Sequence, residues 1–117
     1  MKIDHLVVNV DEKYHNDNNI IKSIRENNFP HEPKWGKGTK GFKVSNLWIG
    51  NEYLEMIRIL KENGGGWIQE WITKYNYGHR GMICLMLNVA DIDITYQALT
   101  EKAYKLLPLN GLNSNGF

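Results

Sequence analysis

A short apolar segment that occurs twice constrains this chain more than any other feature. His5-Leu6-Val7-Val8-Asn9-Val10 recurs as Cys84-Leu85-Met86-Leu87-Asn88-Val89, with leucine, asparagine and valine identical and the intervening positions apolar. Each copy is followed by acidic residues and then by a helical period. A strand-then-helix unit used twice implies two copies of one supersecondary module, neither of which buries its apolar face alone. In the first copy, strand alternation puts Ile3, His5, Val7 and Asn9 on one face and Asp4, Leu6, Val8 and Val10 on the other.

The segments between the copies complete the pattern. Asp17 or Asn18 is placed to cap a helix whose apolar face is Ile20, Ile21 and Ile24. Asn27-Asn28-Phe29-Pro30 ends it, since the residue before proline avoids the α region. From Lys34 to Leu60 the period is that of strands: Phe42 and Val44 alternate, Leu47-Trp48-Ile49 follows, and Gly50-Asn51 turns the chain into Glu52–Leu60. Asn63-Gly64-Gly65-Gly66 is a hinge. Trp67, Ile68, Trp71, Ile72 and Tyr75 then mark an amphipathic linker helix, packing residues rather than a ligand cage. Met82–Val89 is the second apolar strand, and Asp91 or Asp93 caps a last helix with the stripe Ile92, Tyr96, Leu99 and Ala103. The asparagine- and glycine-rich segment from Leu106 to Phe117 has no period and is expected to be loosely ordered.

Size and charge narrow the function classes. The chain has 117 residues, enough for a single domain with a real core. Its 14 basic and 13 acidic residues nearly cancel, so it lacks the positive field of a nucleic-acid binder, and its 42% hydrophobic content argues against disorder. A lone cysteine forms no intrachain disulfide, which suits a reducing, cytoplasmic setting. No stretch approaches the ~20 apolar residues of a membrane helix.

Two residues stand out chemically. His5 lies on the strand face of Ile3 and Val7, and Glu55 shares a face with Tyr53, Ile57 and Ile59. A carboxylate on an apolar strand face is costly unless paired, hydrogen-bonded or coordinated. Imidazole and carboxylate together suit a divalent ion such as Zn, Ni, Mn or Fe. The plainer reading is a hydrogen-bonded core histidine and a solvated glutamate. Cys84 is either a softer ligand or a small buried hydrophobe. His15, His31 and His79 read as surface residues. Gly36-Lys37-Gly38-Thr39-Lys40-Gly41 matches a dinucleotide fingerprint in letters but is followed by a strand, not a helix, so it reads as a flexible solvated loop.

The order of elements resembles the vicinal oxygen chelate superfamily, which includes glyoxalase, bleomycin-resistance and extradiol dioxygenase proteins. Asp4-His5-Leu6-Val7-Val8-Asn9-Val10 looks like the family's opening strand, Tyr53-Leu54-Glu55-Met56-Ile57 like the strand that closes the first module, and Gly81-Met82-Ile83-Cys84-Leu85 like the opening of the second. The resemblance implies an α+β fold: a βαβββ module over 1–62, a hinge and linker helix over 63–81, a partial second module over 82–104 and a tail over 105–117. It further implies a sheet-lined small-molecule cavity, with His5, Glu55 and Cys84 as metal ligands, Glu55 as catalytic group, and Tyr53, Ile57 and Met86 as lining. Two departures mark this chain: Cys84 stands where metal-binding members usually carry histidine or another hard ligand, and the three strands that would follow the last helix have no counterpart between Lys105 and Phe117. A homodimer is the expected repair of the sheet edge this leaves. The function implied is metal-assisted lyase, isomerase or dioxygenase chemistry, or else metal-free sequestration of a ligand, or a non-catalytic remnant.

Overall fold

The computed structural model describes residues 1–61, 69–104 and 106. They form an α+β fold around a four-stranded mixed sheet, β1 (Lys2–Asn9), β2 (Phe42–Ile49), β3 (Glu52–Ile59) and β4 (Gly81–Asn88), in the order β2-β3-β1-β4. The helices are α1 (Lys13–Asn16), α2 (Asn18–Glu26), α3 (Gln69–Asn76) and α4 (Ile92–Glu101). β1 pairs in parallel with β3 and antiparallel with β4, while β2 and β3 form a hairpin. Parallel neighbours require a crossover connection, and the chain from α1 through β2 supplies it. Gly50 takes φ +66 in the hairpin turn, a left-handed conformation that glycine adopts without penalty.

Each face of the sheet has its own apolar cluster. On one face Val7, Phe42, Val44 and Ile57 pack with Trp71 of α3, and Ile83, Cys84 and Met86 adjoin them. On the other, Val10, Leu47 and Met56 pack with Val8, Tyr14, Ile24 and Leu54. The Asp17 side chain caps α2 by accepting from the Asn19 and Ile20 N–H groups, and Asp91 caps α4 by accepting from Ile94 N–H. Each such cap satisfies donors the helix cannot, and losing one typically costs about 1 kcal/mol.

Several expectations need correction. Between α2 and β3 the described residues hold one continuous strand where the module pattern requires two. Ser45 and Asn46, which interrupt the apolar period, are part of β2, and Ser45 is fully buried. The place of the further strand is taken by irregular chain along the β2 edge. Trp48 N–H donates to Pro30 O at 3.2 Å, Asn46 N–H donates to Trp35 O at 3.1 Å, and His31 bridges to Leu47. The glycine-rich segment is correspondingly pinned: a Cβ on Gly36 (φ +110) would come within 2.6 Å of Val44, and one on Gly38 within 2.5 Å of Phe42 O. The buried residue of α2 is Ile21, while Ile20 and Ile24 are half-buried. In α4, Ile92 and Ile94 are exposed, and Ala103 lies beyond the helix at φ +63, so the expected stripe is covered only at Tyr96 and Leu99. The Asn63–Gly66 hinge, Trp67, Ile68 and all of the tail but Leu106 lie outside the described residues.

His15 and His31 are not surface residues. They are only 3% and 2% exposed. His15 Nε2 donates to Met56 O at 3.2 Å, which ties α1 to β3. Burial, the largest influence, drives its pKa from 6.5 down to about 4. The unfolded chain therefore binds a proton at this site between about pH 6.5 and 4 that the folded chain refuses. Stability should be full above pH 6.5 and fall through that window, by roughly 3 kcal/mol at pH 4. Denaturant titrations of the native chain and of His15→Phe at pH 7.5 and 4.5 check this. The native chain should lose more stability between the two pH values than the variant.

Candidate functional site

The site is built by the register of three strands. β1 and β3 align His5 with Tyr53 and Val7 with Glu55, and β1 and β4 align His5 with Met86 and Val7 with Cys84. His5, Glu55 and Cys84 therefore share a sheet face, with Val7 between the carboxylate and the thiol. The β1–β4 register shifts between Ile3 and His5, so Asp4 is an extra residue in the ladder. Such a bulge re-aims side chains. Here it lets Asp4, which regular alternation puts on the opposite face, reach its neighbour: Asp4 Oδ2 is 2.6 Å from His5 Nδ1. A second shift, between Val7 and Val8, brings both Ile83 and Cys84 of β4 against the core.

That contact assigns the imidazole. The carboxylate of Asp4 accepts from Nδ1–H, which turns Nε2 toward Glu55, whose Oε2 is 3.3 Å away. Nε2 is buried and has no well-aligned hydrogen-bond partner among the described residues, so this is a close approach rather than a formed bond. A bare nitrogen lone pair facing a carboxylate is repulsive. The arrangement is relieved only by a positive centre between them, a proton or a cation. Burial, the largest influence, raises the Glu55 pKa, and the His5 charge opposes the rise. Burial also raises the Cys84 thiol, with Glu55 adding to it, so the thiol is held protonated.

An aromatic row borders the pair. The His5 ring stacks on Tyr53 at 4.5 Å and 11°, and Tyr53 meets Trp48 at 4.7 Å and 45°. Burial raises the Tyr53 hydroxyl as well, with Glu55 and Asp4 adding to it. A cavity of about 240 Å3 beside this row is lined by His5, Tyr53, Glu52, Ile3, Leu6, Ile49 and Leu54. Of the residues expected to line a ligand, Tyr53 borders this cavity. Ile57 is 1% exposed in the core with Trp71, and Met86 packs against that core with its sulfur 3.7 Å from Cys84 Sγ.

The donor set fits two ligands of a divalent ion. His5 Nε2 and Glu55 Oε2 converge, and Asp4 stands behind the imidazole as outer-shell carboxylates do behind metal-binding histidines. Among the described residues no group of three histidine, cysteine or acidic side chains is placed to hold a metal, so Cys84 is not brought into the set. Without a cation, the Asp4–His5–Glu55 line is suited to proton transfer. Sequence reasoning missed Asp4, because the bulge leaves no signal in the apolar alternation.

No family model matches the chain, and no curated protein matches it. Among solved structures, a hypothetical protein from Bacillus halodurans C-125 superposes with a TM-score of 0.59, covering 86% of this chain and 67% of its own, at 17% identity. The likeness is one of fold alone. Among the described residues no helix is long and apolar enough to cross a membrane.

The raised Glu55 pKa carries a testable sign. The folded state holds a proton on Glu55 above the pH at which the unfolded chain releases it, so this residue costs stability as pH rises past about 4.5. Glu55→Gln should therefore match the native chain in stability near pH 4 and exceed it at pH 7.5. Thermal unfolding at the two pH values checks this. A native chain more stable than the variant at pH 7.5 contradicts it.

Proposed function

We propose that this chain is a small-molecule-binding protein of the vicinal oxygen chelate type, with its site at the His5–Glu55 end of the sheet. The single observation that carries this is the 3.3 Å approach of His5 Nε2 to Glu55 Oε2, with Asp4 fixing the imidazole from behind. The element order supports it: strand, helix, hairpin, linker helix, strand and helix, with the first strand parallel to the strand that carries Glu55. On this reading His5 and Glu55 hold a divalent ion of the Zn, Ni, Mn or Fe group. When bound, it supplies a Lewis acid for a substrate carbonyl or hydroxyl oxygen. Glu55 is the group that takes or returns a proton, being the carboxylate that faces His5 Nε2, with burial raising its pKa. Tyr53 and Trp48 present flat faces to the ligand.

A second reading, metal-free sequestration of an aromatic or cationic molecule, is favoured by the stacked His5–Tyr53–Trp48 row and by the two-donor set. Calorimetric titration of chelator-treated protein with Zn, Ni and Mn separates the two. The metal reading expects saturable binding that His5→Ala or Glu55→Ala abolishes and that Asp4→Asn weakens by about 10- to 100-fold. Absence of binding for all three ions overturns the metal reading.

The same reading makes the protein a homodimer. β4 is an edge strand, and Met82, Leu85 and Leu87 on it are exposed. An unpaired apolar edge recruits another chain. Light scattering over a tenfold concentration range should show a dimer; a monomer at every concentration excludes it.

A further inference from the structure

The face of the sheet opposite Glu55 carries a larger cavity, about 680 Å3, between α2, the β2–β3 hairpin and the end of β1. Its walls include Val8, Ile24, Phe29, Leu47, Leu54 and Met56. That volume lies within the roughly 300–1,000 Å3 typical of small-molecule sites, and such walls exclude a strongly hydrated ligand. Where β1 runs out, the lining changes to Asp11, Lys13 and Arg80.

These three side chains are arranged rather than loose. Arg80 Nε donates to Asp11 Oδ1 at 2.6 Å, and Nη1 donates to the carbonyls of Tyr75 at 3.1 Å and His79 at 2.8 Å. The guanidinium lies 3.9 Å over the Tyr75 ring. Held from three sides, Arg80 still has Nη2 without a hydrogen bond to any described residue. Lys13 makes no ion pair among the described residues; its ammonium sits over the Tyr14 ring at 5.5 Å. Asp11 cancels one of the two cations, which leaves a single positive charge at the lip.

We infer that this cavity binds an amphipathic monocarboxylate, an alkyl or aryl body within the apolar walls and its carboxylate at Lys13 and Arg80. A guanidinium already fixed in place forms a charge-assisted hydrogen bond with little further ordering. The net lip charge of one suits a monoanion and disfavours an amine. Ile49 and Leu54 border both cavities, but neither His5 nor Glu55 lines this one, and the inference stands independently of the function proposed for that pair.

The test is an amide-shift titration of the full chain with octanoate, 1-octanol and octylamine. Octanoate should give saturable shifts at Val8, Ile24 and Met56 and bind about tenfold tighter than octanol, the equivalent of ~1.4 kcal/mol. Lys13→Gln, on the exposed face of α1, should reduce that preference severalfold, and the double variant Lys13→Gln/Arg80→Gln should abolish it while octanol binding is unchanged. Glu55→Gln should leave octanoate affinity as it is. The inference is overturned by no saturable shift, by equal affinity for octanoate and octanol, by tighter binding of octylamine, or by a preference that survives both substitutions. A loss of octanoate binding in Glu55→Gln would put the ligand on the other face and overturn it equally.

Discussion

The parallel pairing of β1 with β3 is the constraint on which everything else hangs. Val7 and Ile57, each 1% exposed, lie on this pair and anchor one cluster, while Val8 and Met56 belong to the other. Because side chains alternate with a period of two, a slip of one residue between these strands would send Glu55 to the face covered by α2 and Met56 to the face covered by α3. Burial on both faces forbids the slip. The register that brings His5 beside Tyr53 and Val7 beside Glu55 is therefore set by packing, and the chemistry inherits it.

Glu55 lies against that packing logic. A carboxylate half-buried beside Val7 gains nothing from apolar burial and loses hydration, which is why its pKa rises. The bulge at Asp4 places a second carboxylate behind the imidazole, so that Nδ1 is engaged and Nε2 faces Glu55. Two acids and one imidazole in line are a poor choice for stability alone and a useful one for holding a proton or a cation. Residues that violate the local pattern at a structural cost are where function is expected.

How much of this was legible follows from what each residue's signal reports. The strands at Lys2–Asn9 and Gly81–Asn88, the helix of Ile21 and Ile24, the Gly50 turn and the aspartate caps were readable, because period, turn chemistry and capping act locally. His5 and Glu55 were readable because each interrupts an apolar strand face. Asp4 was not, since alternation put it on the far face and only the ladder against β4 shows otherwise. His15 and His31 look like loop residues in sequence, yet their segments fold over the sheet and its β2 edge, a tertiary event without a local mark. Ser45 and Asn46 likewise read as a break between strands, whereas pairing with Met56 and Glu55 carries β2 straight through them.

The two cavities have a common geometric origin. Four strands at ~4.8 Å spacing span about 14 Å between outer axes, while a helix with its side chains covers about 10 Å. One helix therefore cannot close a face. On one side α3 brings Trp71 over Val7, Phe42 and Ile57, and the opposite end of that face, with Tyr53 and Trp48, is left uncovered. On the other, α2 lies over Leu47, Leu54 and Met56, and the space toward Asp11 and Arg80 stays open. In each case the uncovered strip ends on charged groups that strand register or a fixed hydrogen-bond network holds still. A sheet of this width with a single helix on each side thus leaves part of each face uncovered, and the residues at the ends of the uncovered strips decide what can be held there.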